Sequence, residues 1–164
     1  MYSNYTEYLK TINNVAQSNF KSNPIYIDML DHVSFDLGCE YLKLIETEFP
    51  YITKEQIIEF LNINDKYGNP VKYNFNNDKI NGNATSIRYI YHALLILNYY
   101  KNINSTEIVE LGCGYGGLFL ALCFYSKILN IKINKYYFID FPEACNLIKN
   151  YISLNKNVFD GIDY

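Results

Sequence analysis

Apolar positions along this chain recur at two spacings, and the change from one to the other divides it. Up to about residue 100 the spacing is three to four, the period of a helix. Tyr5, Tyr8, Leu9, Ile12 and Val15 predict a first helix over 2–20. Asn23-Pro24 interrupts it. Leu30, Val33, Leu37, Tyr41, Leu44 and Ile45 form one stripe, predicting a second helix over 27–49 that stops at Pro50. Thr53 followed by Gln56 is a capping box, with Ile52 and Ile57 as its hydrophobic staple, so a third helix covers 55–62. Asn64 to Pro70 is turn chemistry; 71–75 reads as a short strand or extended loop, and 76–83 as polar loop. Thr85 or Ser86 caps a helix over 85–100, whose apolar face carries Ile87, Ile90, Tyr91, Leu94, Leu95 and Leu97.

Past residue 106 the pattern changes. Val109 and Leu111 belong to a strand over 107–111 that stops at Gly112-Cys113-Gly114-Tyr115-Gly116-Gly117. A helix follows over 117–129, then a strand over 135–140 with Tyr136 to Ile139 as its apolar run. Pro142 suits the first turn of a last helix over 143–154. Strand, glycine turn, helix and strand make a parallel crossover unit, whose ligands bind at the carboxyl ends of the strands. The expected fold class is α/β: an incomplete Rossmann-like core, the first β-α-β unit of a parallel sheet, preceded by an α-helical region. The helical region is placed at 1–75 and the start of the cofactor domain at 76–164.

Composition adds exclusions. The 164 residues suffice for one domain with a helical extension. The 18 tyrosines and abundant Asn, Ile and Lys point to coding bias rather than an aromatic binding surface. A net charge of −3 argues against nucleic acid as partner. The start has no basic segment leading an apolar run, and no apolar stretch is long enough to cross a bilayer, so a cytoplasmic protein without membrane attachment is expected. Cys39, Cys113, Cys123 and Cys145 lack paired metal-ligand spacing and read as reduced thiols, with no metal site.

The candidate chemistry gathers at the glycine run. Glycine lets the backbone turn sharply and a ligand come close, and the helix start offers unpaired N–H groups. Glu110 stands at the strand tip just before Gly112. A carboxylate there repels a pyrophosphate but suits a cationic group, such as the amino group of S-adenosyl-L-methionine. Asp140 ends the second strand, where a carboxylate accepts hydrogen bonds from ribose hydroxyls. The run also fits G-x-G-x-x-G, so an NAD-dependent oxidoreductase fragment is the enzymatic rival; Glu110 favours the sulfonium cofactor. Gly112, Gly114, Gly116 and Gly117 form the cradle, with Tyr115 and Phe141 flanking it as candidate adenosine contacts. Arg88 and His92 share a helix face. Arg88 is a candidate for the cofactor carboxylate and His92 for the catalytic base; packing roles are the alternative for both. His32 reads as structural and Cys113 as a small filler.

Glu110, Gly112, Gly114 and Gly116, with Asp140 after the second strand, match E-x-G-x-G-x-G and the following acid of Rossmann-like methyltransferases. Asn64 to Pro70, Thr85-Ser86-Ile87-Arg88-Tyr89 and Ile139-Asp140-Phe141-Pro142-Glu143 carry a closer resemblance, to the sugar O-methyltransferase family, across about 25–155. The resemblance implies transfer of a methyl group from S-adenosyl-L-methionine to a hydroxyl of a small sugar or glycan acceptor. Only 24 residues follow Asp140, too few for the family's later strands. An N-terminal portion is therefore expected, inactive alone, with unpaired outer strand edges and either a missing C-terminal half or self-association as partner. A cofactor-binding or regulatory module without turnover is the non-enzymatic alternative.

Overall fold

The computed structural model describes residues 2–30, 32–77, 79–103, 106–159 and 162–164. Its first half is helical. Helix α1 (Tyr2–Lys10) buries Tyr5 and Leu9. It stops well short of residue 20, because the Asn14 side chain accepts from the Ala16 N–H, a local bond that competes with the helix. A single 3₁₀ turn, Phe20–Ser22, leads into α2 (Pro24–Leu30). The helix expected over 27–49 is two helices. Ser34 leaves the helical path and its hydroxyl accepts from the Leu37 N–H, starting α3 (Phe35–Glu48) afresh. The restart changes the phase: Leu42 and Ile45 are buried while Leu37 and Leu44 are exposed. Asp31 lies outside the described residues, and His32 stands exposed in the connection rather than on a helix.

Helix α4 (Lys54–Asn64) starts with the expected capping box: Thr53 accepts from the Gln56 N–H and Gln56 accepts from the Thr53 N–H. Ile52 and Ile57 are both buried, as the staple requires. The segment expected as polar loop contains a strand. β1 (Tyr73–Phe75) and β2 (Ile80–Gly82) form an antiparallel hairpin, turned by Asn76 and Asn77 at φ +50 and +53°. Asn tolerates that left-handed geometry better than other side chains. Helix α5 (Ala84–Tyr100) is capped by Asn83, whose side chain accepts from the N–H groups of Thr85 and Ser86. Thr85 and Ser86 themselves lie inside the helix.

Strand β3 (Glu107–Leu111), helix α6 (Gly117–Leu129) and strand β4 (Lys135–Ile139) form the crossover unit. The strands pair in parallel, Glu107 opposite Lys135 through Leu111 opposite Ile139. Helix α7 (Pro142–Ser153) follows with Pro142 in its first turn. The outer edge of β4 is not wholly bare: the Tyr136 N–H donates to the Asp163 carbonyl at 2.9 Å, and Lys135 pairs with the Asp163 carboxylate at 3.3 Å. Among the described residues nothing pairs with the outer edge of β3.

The fold is thus mixed α/β, with a parallel and an antiparallel strand pair. One face of the parallel pair packs on α6, where Phe119 meets the rings of Tyr136 and Phe138 at 4.9 and 5.1 Å. The other face leaves Val109 and Leu111 61 and 82% exposed. The expected boundary between residues 75 and 76 runs through the hairpin, and the hydrophobic core is one cluster from Tyr5 to Phe159. No helix among the described residues is long and apolar enough to cross a membrane.

Candidate functional site

Strand β3 delivers the glycine loop and β4 delivers Asp140 beside it. Gly112, Gly114 and Gly116 hold φ of +76, +60 and +86°, a conformation side chains rarely adopt. The Gly112 N–H still donates to the Ile139 carbonyl at 2.9 Å, so the ladder runs one residue into the loop. Asp140 then fixes the turn. Its Oδ2 accepts from the N–H groups of Cys113 and Gly114 at 2.7 and 3.2 Å, and its Oδ1 from Phe141 N–H at 2.7 Å. An ionised carboxylate offers about four lone-pair positions. Asp140 therefore organises the loop and keeps acceptor capacity for a ligand.

Glu110 turns toward the face covered by α6, where the Tyr136 hydroxyl donates to its Oε2 at 2.7 Å. Burial lifts its pKa to about 7; the Tyr136 hydrogen bond pulls it down and the Asp140 carboxylate pushes it up. Near neutral pH this acid is divided between its two protonation states. A cation brought beside it would favour the ionised one. The Cys113 thiol donates to the Glu110 carbonyl at 3.1 Å, and burial pushes its pKa up to about 12. A thiol held protonated in this way is a weak nucleophile, and Cys113 fills space at the strand tips.

The glycines divide by what surrounds them. A Cβ on Gly112 would meet nothing within 4 Å, so a ligand can approach the backbone there. A Cβ on Gly114 would lie 3.7 Å from the Tyr26 hydroxyl and 3.9 Å from the Tyr89 hydroxyl. Gly116 abuts Ile148, and Gly117 has no room at all: a Cβ would fall 2.5 Å from the Tyr89 ring. Gly116 and Gly117 thus serve helix packing rather than ligand approach.

Tyr115 is a correction. It points inward, buried, with its hydroxyl accepting from Asn64 Nδ2 at 2.8 Å and its ring 4.0 Å from Lys21 Nζ. Its ring also packs edge-on against Tyr151 at 4.8 Å. It anchors the loop to the core and is not free to touch adenosine; the flanking positive-φ glycines turn it away from the open side. Phe141 remains 43% exposed at the mouth, with the Tyr2 ring 5.9 Å away. The described contacts of His92 are with the rings of Tyr41 and Tyr91, at the seam between α3 and α5; burial, then Arg88, lowers its pKa. Arg88 lies over the Tyr89 ring, 5.5 Å from its centroid. The structure brings Glu110, the four glycines, Asp140 and Phe141 together. It is Tyr89, between Arg88 and His92 in sequence, that reaches the loop.

Several residues at the loop escaped the sequence reading. Tyr5 sits in the apolar rhythm of the first helix, Tyr89 only in one of the strings that carry the family resemblance, and nothing in the sequence singles out Tyr26. Lys21, between Phe20 and Ser22, is buried, and its Nζ donates to the Asn64 carbonyl. Asp65 is buried too, accepting from the Ser86 hydroxyl and Asn83 N–H. Asn64 and Asp65 lie in one of the strings that carry the family resemblance, the one signal that pointed to them. A groove of about 670 Å³ opens beside β4 and α7, lined by Val109, Tyr137, Ile139, Cys145 and Ile148 among others. No residue of the loop lines it, and its walls are largely apolar, so the chemistry points to the loop instead.

Comparison of the chain with protein-family models, with curated proteins and with solved structures gives no match in any of the three.

Proposed function

We propose that this chain binds S-adenosyl-L-methionine on the glycine loop and serves as the cofactor-binding part of a Rossmann-like O-methyltransferase, with a sugar hydroxyl as acceptor. The observation that carries the reading is the Asp140 carboxylate, which ends β4 and holds the loop amides of Cys113 and Gly114. It leaves an acceptor position for a ribose hydroxyl beside backbone that a ligand can approach at Gly112. Glu110, half-buried at the end of β3 and titrating near neutrality, favours a cationic cofactor over a pyrophosphate. The residues present therefore suit this cofactor.

S-adenosyl-L-methionine held there would supply a sulfonium methyl group as electrophile for a hydroxyl oxygen, with the neutral thioether as leaving group and the hydroxyl proton lost to solvent. The chain's own part is to hold the ribose through Asp140 and to attract the amino group through Glu110, with Phe141 standing at the mouth of the site. The sugar acceptor rests on the family resemblance alone. Calorimetry with S-adenosylhomocysteine and with NADH tests the reading: binding of the first and not the second is expected, and the reverse would overturn it. A second reading, a cofactor-binding module without turnover, is favoured by the placement of His92 against Tyr41. Cofactor binding without methyl transfer to any sugar tried would select it.

A further inference from the structure

Helix α1 lies against the start of α7, with Lys10 Nζ 3.8 Å from Glu143 and Tyr2 beside Phe141. Its inward side carries Tyr5, only 3% exposed, with its ring 6.1 Å from that of Tyr26. The Tyr5 hydroxyl is buried and has no hydrogen-bond partner among the described residues. Buried polar groups are rarely left so, because the water they lost is not replaced. Burial raises the pKa of this phenol, and the neighbouring Asp140 carboxylate and Tyr89 hydroxyl raise it further, so it keeps its proton and can donate.

The surroundings say what it would donate to. The Tyr26 and Tyr89 hydroxyls close around Gly114 from α2 and α5. Asp140 uses its oxygens on three backbone N–H groups and keeps acceptor capacity. A ligand group between a phenol that donates and a carboxylate that only accepts must both accept and donate. A hydroxyl does both; an ammonium only donates, and a carboxylate only accepts. We propose that Tyr5 is a ligand-binding residue: its hydroxyl donates to a ribose hydroxyl of the nucleoside cofactor, and that ribose hydroxyl donates in turn to Asp140. Helix α1 is then a cap that completes the ribose site from outside the crossover unit. This inference rests on the cofactor reading above and adds to it a residue that no glycine-loop pattern contains.

The test uses the full chain and Tyr5→Phe, which preserves the ring. Calorimetry is run with S-adenosylhomocysteine and with its 2′-deoxy and 3′-deoxy analogues. Wild type should discriminate against at least one deoxy analogue. Tyr5→Phe should bind S-adenosylhomocysteine roughly 5- to 20-fold more weakly and lose that discrimination. Without ligand, Tyr5→Phe should melt at a higher temperature than wild type, since it removes an unsatisfied buried group. Equal affinity of the two proteins for S-adenosylhomocysteine would overturn the inference while leaving the cofactor reading intact. A lower melting temperature for the ligand-free variant would also overturn it, by showing that the hydroxyl already has a partner. Failure of wild type to bind S-adenosylhomocysteine would instead overturn the cofactor reading, and this inference with it.

Discussion

The first and last glycines of the loop occupy opposite environments, though five residues apart on one turn. Gly112 faces open space, with φ +76° and nothing within reach of a Cβ. Gly117 is pressed by the rings of Tyr89 and Tyr115, at 2.5 and 2.8 Å from where a Cβ would stand. The same residue type therefore meets two needs: at the open end it lets a ligand near the backbone, at the closed end it lets a helix seat against aromatic rings. A glycine pattern read from sequence merges the two.

The largest effect should come from the closed end. Gly117→Val should cost on the order of 3 kcal/mol or more in urea unfolding, because overpacking forces Tyr89 and Tyr115 apart. Asp140→Ala comes next. Three backbone N–H groups lose their acceptor, so a stability loss of about 2–3 kcal/mol is expected. S-adenosylhomocysteine affinity should fall at least tenfold or so, read by calorimetry. If affinity survived while stability dropped, Asp140 would be a loop brace and nothing more.

Glu110 gives a pH signature beneath the open end. Its pKa is raised from 4.5 unfolded to about 7 folded, so the folded chain holds more protons across that window. Stability should therefore fall as pH rises from 4.5 to 7, by on the order of 2–3 kcal/mol from this group, and stay lower above. Glu110→Gln should flatten that part of the urea-midpoint profile. Cofactor affinity, by contrast, should rise through pH 7 in wild type as the carboxylate ionises beside a cation. The smallest effect belongs to Gly112→Ala: about 1 kcal/mol, from backbone strain at positive φ alone. A loss as large as that of Gly117→Val would erase the distinction between the two ends.

The crossover unit was legible in the sequence because its punctuation is strong. Glycines end β3, Asn130 ends α6 in the left-handed conformation, and Pro142 opens α7, so the expected bounds and the observed ones coincide within a residue or so. The N-terminal half was less legible. Asn14 and Ser34 break helices through side-chain bonds to their own backbone, and an apolar rhythm continues across both breaks. The candidate site was legible at Glu110, Gly112, Gly114 and Asp140, where residue type and strand end agree. It was opaque at Tyr115, whose direction depends on two positive-φ neighbours, and at Tyr5, Tyr26 and Lys21. Those three reach the loop only through tertiary packing.

The inward turn of Tyr115 also sets an order in time. Its ring lies against Lys21 and Tyr151, partners far apart in the chain on either side of it. The capping bonds that start α3, α4 and α5 can form early, since each joins residues two or three apart. The loop cannot settle until residue 151 has been synthesised and has docked, and contacts spanning such separations form late. A ribosome-bound chain that ends short of α7 would therefore carry a glycine loop that is written but not yet shaped.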